Sequence, residues 1–309
     1  MGKTVFMFPG QGAQYIGMAK DFYDAIPECR EVFEEASEAS GLDIAALCFE
    51  ENDKINITEY TQICMLTAEA AILRALEVKG YKADVTAGLS LGEYGALIAC
   101  GALSRKDAFA LVRKRGIYMQ EAVPEGGAMA AVLALDTAQI EEACKKTEGI
   151  VSIANYNCPG QIVITGEEKA VAAPAGELCK EAGAKRVVPL KVSGPFHSAM
   201  LKGAGEKLGE ELKHVTVHTP AIPYVANVTA DYVTKEEEIK PLLEKQVSSS
   251  VRWQQTIERL IADGADKFVE IGPGKTLTGF MRKINRDVAA VNIDKYEDFE
   301  KFVAESKNK

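Results

Sequence analysis

The chain has 309 residues, 47% apolar and 26% charged, with 1 Trp, so it can bury a sizeable core, and disordered, collagen-like and mini-protein classes are excluded. Its formal net charge of -9, from 36 basic and 45 acidic residues, argues against bulk attraction to nucleic acid or anionic membrane. No apolar run approaches membrane-spanning length, and Met1 to Pro9 lacks the charged leader and cleavage site of a signal peptide.

In chain order, Thr4 to Pro9 reads as a buried strand running into Gly10-Gln11-Gly12-Ala13-Gln14. Ile63, Leu66, Ala70, Leu73 and Leu76 form a helical stripe within Tyr60 to Val78, closed by Gly80. Ala83 to Gly88 reads as a short strand and Leu91 to Cys100 as a helix, with Gly101 past its end. Ser104 and Asp107 have the spacing of a capping box that opens another helix. Strands alternating with helices predict a largely parallel sheet covered on both faces.

A different rhythm begins near Gly126. Ala128 to Leu135 is a predicted strand, Thr137 to Lys146 a helix, and Ile150 to Ala154 and Gln161 to Thr165 two strands joined through Asn155-Tyr156-Asn157-Cys158-Pro159-Gly160. Lys169 to Ala182 reads as a helix disturbed near Pro174, and Lys185 to Val192 as a last strand. That β-α-β-β-α-β order is the split pattern of a ferredoxin-like unit. The expected organisation is an inserted subdomain at 125–193 within a discontinuous main domain, 1–124 and 194–309. The main sheet resumes at Pro223 to Asn227 and Lys267 to Ile271.

Gly88-Leu89-Ser90-Leu91-Gly92 is G-x-S-x-G between a predicted strand and a predicted helix. A sharp strand-to-helix turn exposes a serine oxygen, flanking glycines avoid clashes, and the helix start offers free N–H groups to developing negative charge. The alternative is a glycine-rich turn with an incidental serine. A nucleophilic serine needs a base, and the only histidines are His197, His214 and His218. His214 and His218 alternate within Lys213 to His218, as on one solvated strand face, with no third ligand spaced to make a metal site. His197 lies in the loop Ser193-Gly194-Pro195-Phe196-His197-Ser198 and is the candidate base.

Arg115 shares a helix face with Ala108, Leu111, Val112 and Met119. An inward guanidinium is costly unless an anion meets it. It is either an internal salt bridge or a clamp for a substrate carboxylate, for which the planar fork is suited. Other motifs fail: Gly10-x-Gly12 lacks a third glycine, Val269 replaces the first glycine of a P-loop before Gly274-Lys275-Thr276, and Asp263-Gly264 reads as a turn. The 7 cysteines are scattered, fitting reduced thiols in a soluble, cytoplasmic protein with no metal centre.

These residues resemble the malonyl-CoA:acyl carrier protein transacylase family from the first strand almost to the carboxyl terminus. The markers are Phe8 to Gln14, Ser90-Leu91-Gly92-Glu93-Tyr94, Met119 to Ala122, Asn157 to Gln161, Gly194 to Ser198 and Glu270 to Gly274. The resemblance implies an α/β hydrolase-like domain with a mostly parallel sheet plus a ferredoxin-like (α+β) insertion. It implies Ser90 as nucleophile, His197 as base and the N–H groups of Gln11 and Leu91 as oxyanion hole. It also implies Arg115 as the malonyl-carboxylate clamp and the Gln246 main-chain carbonyl as the group orienting the histidine. The family commonly has His before the nucleophile, where this chain has Leu89.

The expected activity is malonyl transfer from malonyl-CoA to a carrier protein's phosphopantetheine thiol, with ping-pong kinetics and no cofactor. A free-standing chain fits fatty-acid rather than polyketide synthesis, and a monomer suffices. Acidic carrier proteins need a local basic patch, and Lys275, Arg282, Lys283 and Arg286 recur at helical spacing after Gly274. The rival readings are an esterase or thioesterase, a non-catalytic carrier-binding module, and a transferase of another acyl group. An ordinary α/β hydrolase places its histidine near the carboxyl terminus, whereas His197 is mid-chain.

Overall fold

The computed structural model describes residues 2–192 and 194–306. Among the described residues there are two sheets. The larger is built from β1 (Lys3–Phe8), β2 (Val85–Gly88), β7 (Tyr224–Val225), β8 (Tyr232–Val233), β9 (Ala265–Ile271) and β10 (Ala289–Ile293). Its spatial order is β10-β9-β1-β2-β7-β8, and every pair is parallel except β7 with β8.

Alternation along β1 sends Phe6 and Phe8 into one hydrophobic cluster and Val5 and Met7 into another. The sheet is therefore covered on both faces, as parallel sheets require. On the first face lies the helix Thr58–Val78, buried on nearly every side rather than along one stripe. It contacts both the helix Arg105–Ala122 and the helix Pro27–Ser40. The register pairs Phe8 with Gly88, so β1 and β2 end together and the loop Pro9 to Gln14 runs beside Leu89 and Ser90.

The smaller sheet is formed by β3 (Gly127–Leu133), β4 (Val151–Cys158), β5 (Gln161–Glu167) and β6 (Arg186–Pro189). Its order β4-β5-β3-β6 is antiparallel throughout, which is the ferredoxin-like arrangement read from the sequence. Ala130 and Val132 of β3 pack with Ile140 and Val171 in a separate core. Met129 and Ala131 point to the other face, toward a cleft between the sheets. The helical stretch from Glu168 to Glu181 widens into a π turn at Val171–Ala175, around Pro174, which has no N–H to give the ladder.

Three local expectations need correction. Asn155 to Cys158 are not a connecting loop; β4 continues through Cys158, and Pro159-Gly160 alone turn the hairpin, with Gly160 at φ 72. The register shifts twice along β4, and there the strand bonds outward: Tyr156 N–H donates to Val251 O at 2.9 Å and Val251 N–H to Ala154 O at 2.8 Å. The last predicted strand shrinks to Arg186–Pro189: Pro189 lacks a donor, and beyond the strand the pairing continues only through Lys185 N–H to Leu133 O at one end and Leu190 N–H to Met129 O at the other. Finally, His214 and His218 lie in no strand. Both are exposed. His214 sits in the turn that closes the helix Lys202–Leu212, its N–H donating to Glu211 O at 3.0 Å. His218 follows, its N–H donating to Ala102 O at 2.9 Å, while Val215 and Val217 between them pack against the core.

The capping expectation is met at Ser104, whose Oγ accepts Asp107 N–H at 3.1 Å. Among the described residues no helix is long and apolar enough to cross a membrane.

Candidate active site

Ser90 sits between β2 and the helix Gly92–Ala99 with φ 54, a left-handed conformation unusual for a side chain. A Cβ on Gly88 would strike the Gly92 carbonyl, and one on Gly92 would strike the Phe8 carbonyl. Both glycines of G-x-S-x-G are thus sterically required. Asn227, arriving just after β7, grips the turn: its Oδ1 accepts Ser90 N–H at 2.6 Å and its Nδ2 donates to Gly88 O at 2.6 Å. That bond occupies the Ser90 N–H. By contrast, the backbone N–H groups of Gln11 and Leu91 have no acceptor among the described residues.

His197 also has positive φ, at 61, and its Nε2 lies 2.7 Å from Ser90 Oγ. Its Nδ1 lies 2.9 Å from Gln246 O, a main-chain carbonyl that can only accept. The proton therefore sits on Nδ1, leaving Nε2 to accept from the serine hydroxyl. Burial, and next the charge of Arg115, lower the His197 pKa to about 4. The imidazole is neutral at physiological pH and free to take a proton.

Arg115 is 0% exposed. Its Nη1 donates to Gln62 Oε1 at 2.6 Å, and its Nη2 to Gln246 Oε1 at 3.0 Å and Ser90 Oγ at 3.1 Å. Its Nε has no partner, and none of the salt bridges among the described residues includes it. The internal salt bridge left open by the sequence is absent: neutral amide oxygens and the Tyr94 ring, 5.7 Å from the guanidinium carbon, hold the cation. Ser90 Oγ thus accepts from a guanidinium while donating to an imidazole, an arrangement suited to generating a stabilised alkoxide.

These groups close the floor of a cleft of about 430 Å³. Gln11, Gln62, Ser90 and His197 line its base, and Met129, Ala131, Asn155 and Asn157 line the wall from the smaller sheet. Arg115, Leu91 and Gln246 lie behind this surface rather than on it. The opposite rim is the helix Thr276–Ile284, through Leu277 and Phe280. Glu270, at the end of β9, anchors that helix by accepting Leu277 N–H at 2.9 Å and Thr278 N–H at 2.7 Å. Lys275, Arg282, Lys283 and Arg286 are exposed on and beside it, with Lys283 donating to Gln161 Oε1 at 3.0 Å. No group of three His, Cys, Asp or Glu among the described residues could hold a metal ion.

The acyl transferase domain family matches residues 5–297. The malonyl CoA-acyl carrier protein transacylase of Bacillus subtilis (strain 168) is 46% identical over 305 residues, covering 97% of this chain and 96% of the relative. The chain belongs to the malonyl CoA-acyl carrier protein transacylase family. Among solved structures, the family member from Clostridium perfringens superposes with TM-score 0.95 at 44% identity, over 99% of this chain and 98% of that one. A malonyl-transacylase in complex with its type II polyketide-synthase acyl-carrier protein superposes with TM-score 0.95 at 40% identity, over 98% and 99%.

Within this transacylase fold, Leu89 lines the cleft beside Ser90, and it packs where a Cβ on Gly10 would go. Three further residues were not singled out from the sequence. Asn227 clamps the elbow, and Gln62 holds Arg115. Glu93 accepts from Gln246 Nε2 at 2.7 Å and Asn227 N–H at 3.3 Å while 1% exposed. The one available signal was Glu93, an acid directly inside a short apolar helix.

Proposed function

We infer that this site moves a malonyl group from malonyl-CoA to the phosphopantetheine thiol of an acyl carrier protein through a malonyl-Ser90 ester, supplying fatty-acid biosynthesis. The observation that carries the reading is Arg115. A fully buried guanidinium with no anionic group bonded directly to it, one nitrogen unsatisfied and another on Ser90 Oγ, is a receptor for a carboxylate tethered to the acyl group on that oxygen.

His197 Nε2 takes the Ser90 proton as Oγ bonds to the thioester carbonyl carbon. The carbonyl electrons move onto oxygen, where the N–H groups of Gln11 and Leu91 receive them. Each donor of this kind contributes about 2.7–4 kcal/mol in acyl-transfer enzymes. The intermediate collapses, the C–S bond breaks, and His197 returns the proton to the departing CoA sulfur. The carrier's thiol then gives its proton to His197, attacks the malonyl-Ser90 ester and leaves as malonyl thioester, with the proton restored to Ser90. Gln246 O holds the imidazole by Nδ1–H in place of a carboxylate.

The carrier protein is read as docking at Lys275, Arg282, Lys283 and Arg286, beside the rim helix that borders the cleft. The main domain is drawn as 1–124 with 194–309, and the ferredoxin-like subdomain as 125–193. All site residues come from one chain, so a monomer is sufficient. Seven buried free thiols suit a reducing cytoplasm.

Intact-protein mass after mixing with malonyl-CoA or acetyl-CoA, without carrier, tests the reading. A single malonyl adduct that disappears in Ser90→Ala is expected, with little acetyl adduct. Release of free malonate and CoA without an adduct would make water the acceptor and the protein a hydrolase.

A further inference from the structure

Glu93 has no place in the chemistry above, yet it is a carboxyl group sealed behind the nucleophile. Its two hydrogen bonds, from Gln246 Nε2 and Asn227 N–H, fall on the same oxygen, Oε2. The Gln246 amide spans the gap to Arg115, with Oε1 accepting from the guanidinium and Nε2 donating to Glu93 and to Ser90 O at 2.9 Å. A negative and a positive group are thus linked through one oriented amide, and among the described residues neither takes part in a salt bridge.

We propose that Glu93 is the resident counter-charge of Arg115, and that a substrate carboxylate reaching Arg115 displaces that role by driving a proton onto Glu93. This rests on the reading that Arg115 receives the malonyl carboxylate.

The argument is one of charge in a dry site. With the pocket empty, one cation and one anion balance across the amide. A malonyl carboxylate adds a second anion, and two buried carboxylates sharing one guanidinium cannot both stay ionised cheaply. The malonyl carboxylate makes direct contact and Glu93 only relayed contact, so Glu93 takes the proton.

Its surroundings favour this. Besides Arg115 from the helix Arg105–Ala122, the titratable groups electrostatically coupled to Glu93 are Tyr94 on its own helix and Tyr224 on β7. Both are phenols whose pKa is raised by burial, so both stay neutral. From the other packed segments, Gln246 and Asn227 are neutral amides, the buried Glu69 on the helix Thr58–Val78 has its pKa pushed up by burial and stays protonated, and His197, on Gln246 O, is neutral. Burial already brings the Glu93 pKa up to about 7, against the opposing pull of its two hydrogen bonds and Arg115. The group is poised to change state in the working range.

The consequence is proton uptake coupled to malonylation, and reciprocally a malonyl-CoA KM that rises with pH. Glu93→Gln can keep both hydrogen bonds on its amide oxygen while removing the charge. In the wild-type protein, KM for malonyl-CoA is expected to rise about tenfold between pH 6 and 8.5, because ionised Glu93 competes with the malonyl carboxylate for Arg115 and part of a proton must be taken up on binding. Glu93→Gln should hold KM within about twofold over that range, since the CoA phosphates titrate identically in both.

A pH indicator in weak buffer near pH 7.5, read during malonylation of wild-type enzyme, should record uptake of a fraction of a proton per ester formed. It needs no variant to fold. Intact mass run in parallel separates the two readings. Ester formation with no proton uptake and a wild-type KM as flat as that of Glu93→Gln overturns the role of Glu93 alone. Absence of the Ser90 ester overturns the malonyl reading and this one with it.

Discussion

Asn227 and Ser90 lie 137 positions apart, yet the Asn227 side chain accepts the Ser90 N–H at 2.6 Å and donates to Gly88 O. This pairing holds Ser90 in its left-handed conformation and occupies its N–H. Asn227→Ala should leave a partly buried N–H and a buried carbonyl unpaired, the carbonyl alone at about 1–3 kcal/mol. The expected outcome is a lower Tm together with slower malonylation. Asn227→Asp, which keeps the acceptor and loses the donor, should fall between the two in a thermal melt.

Ser90 at φ 54 carries backbone strain. Ser90→Ala and Ser90→Gly both lose the hydroxyl and should both abolish the malonyl adduct. They should differ in stability: glycine tolerates this φ, whereas an L side chain costs about 1–2 kcal/mol there, partly offset by the entropy of glycine. Denaturant unfolding should find Ser90→Gly the more stable, and the opposite order would remove the strain argument.

Arg115→Ala should cut kcat/KM for malonyl-CoA by the cost of losing a buried charged partner, about 3–5 kcal/mol, or roughly 10²- to 10⁴-fold. Loading from acetyl-CoA, which has no carboxylate to clamp, should suffer far less. Comparing the two acyl-CoA rates by intact mass checks this selectivity.

His197, held near a pKa of about 4, must be unprotonated to act as base. The malonylation rate should therefore stay high down to about pH 5 and fall only as pH drops through 4, not through the ordinary histidine value of 6.5. Stability follows the same sign. Between pH 6.5 and 4 the unfolded chain binds the proton and the folded chain does not, so the His197 contribution is complete above 6.5 and declines as the pH falls. Glu93 acts oppositely: raised from 4.5 to about 7, it contributes stability that is present below 4.5 and lost as pH rises through 7. Rate and melting temperature measured across pH 4–8 separate the two groups.

Exchanging Arg282 and Lys283 for Glu should raise KM for carrier protein severalfold and leave that for malonyl-CoA unchanged, because both side chains are exposed beside the cleft rather than in it. Equal effects on both substrates would remove this docking assignment.

Where the sequence misled, a tertiary contact outweighed a local preference. Asn155 to Cys158 read as a loop because asparagine is poor in strands. In the fold these residues are strand because β5 pairs them on one side and Val251 meets the bulge on the other, while both asparagines face the cleft. His214 and His218 alternate like a strand face, but His214 is taken into the turn that closes a helix and His218 bonds Ala102 O, outside any strand. The Thr58–Val78 stripe widened to a helix buried on most sides, since two other helices and the sheet enclose it.

The sequence by itself determined what depends on near neighbours. G-x-S-x-G between a strand and a helix dictates the strained turn, because only glycine fits beside the Gly92 and Phe8 carbonyls. Helical spacing turned Arg115 inward, and the order of elements specified the ferredoxin-like unit. Tertiary structure alone decided what Arg115 and His197 would meet. Gln62, Asn227 and Gln246 come from separate helices and a strand end, and Glu93 is sealed behind Asn227 and Gln246. Their hydrogen bonds depend on strand register and complete burial, where water no longer competes and each polar group must find its partner within the protein.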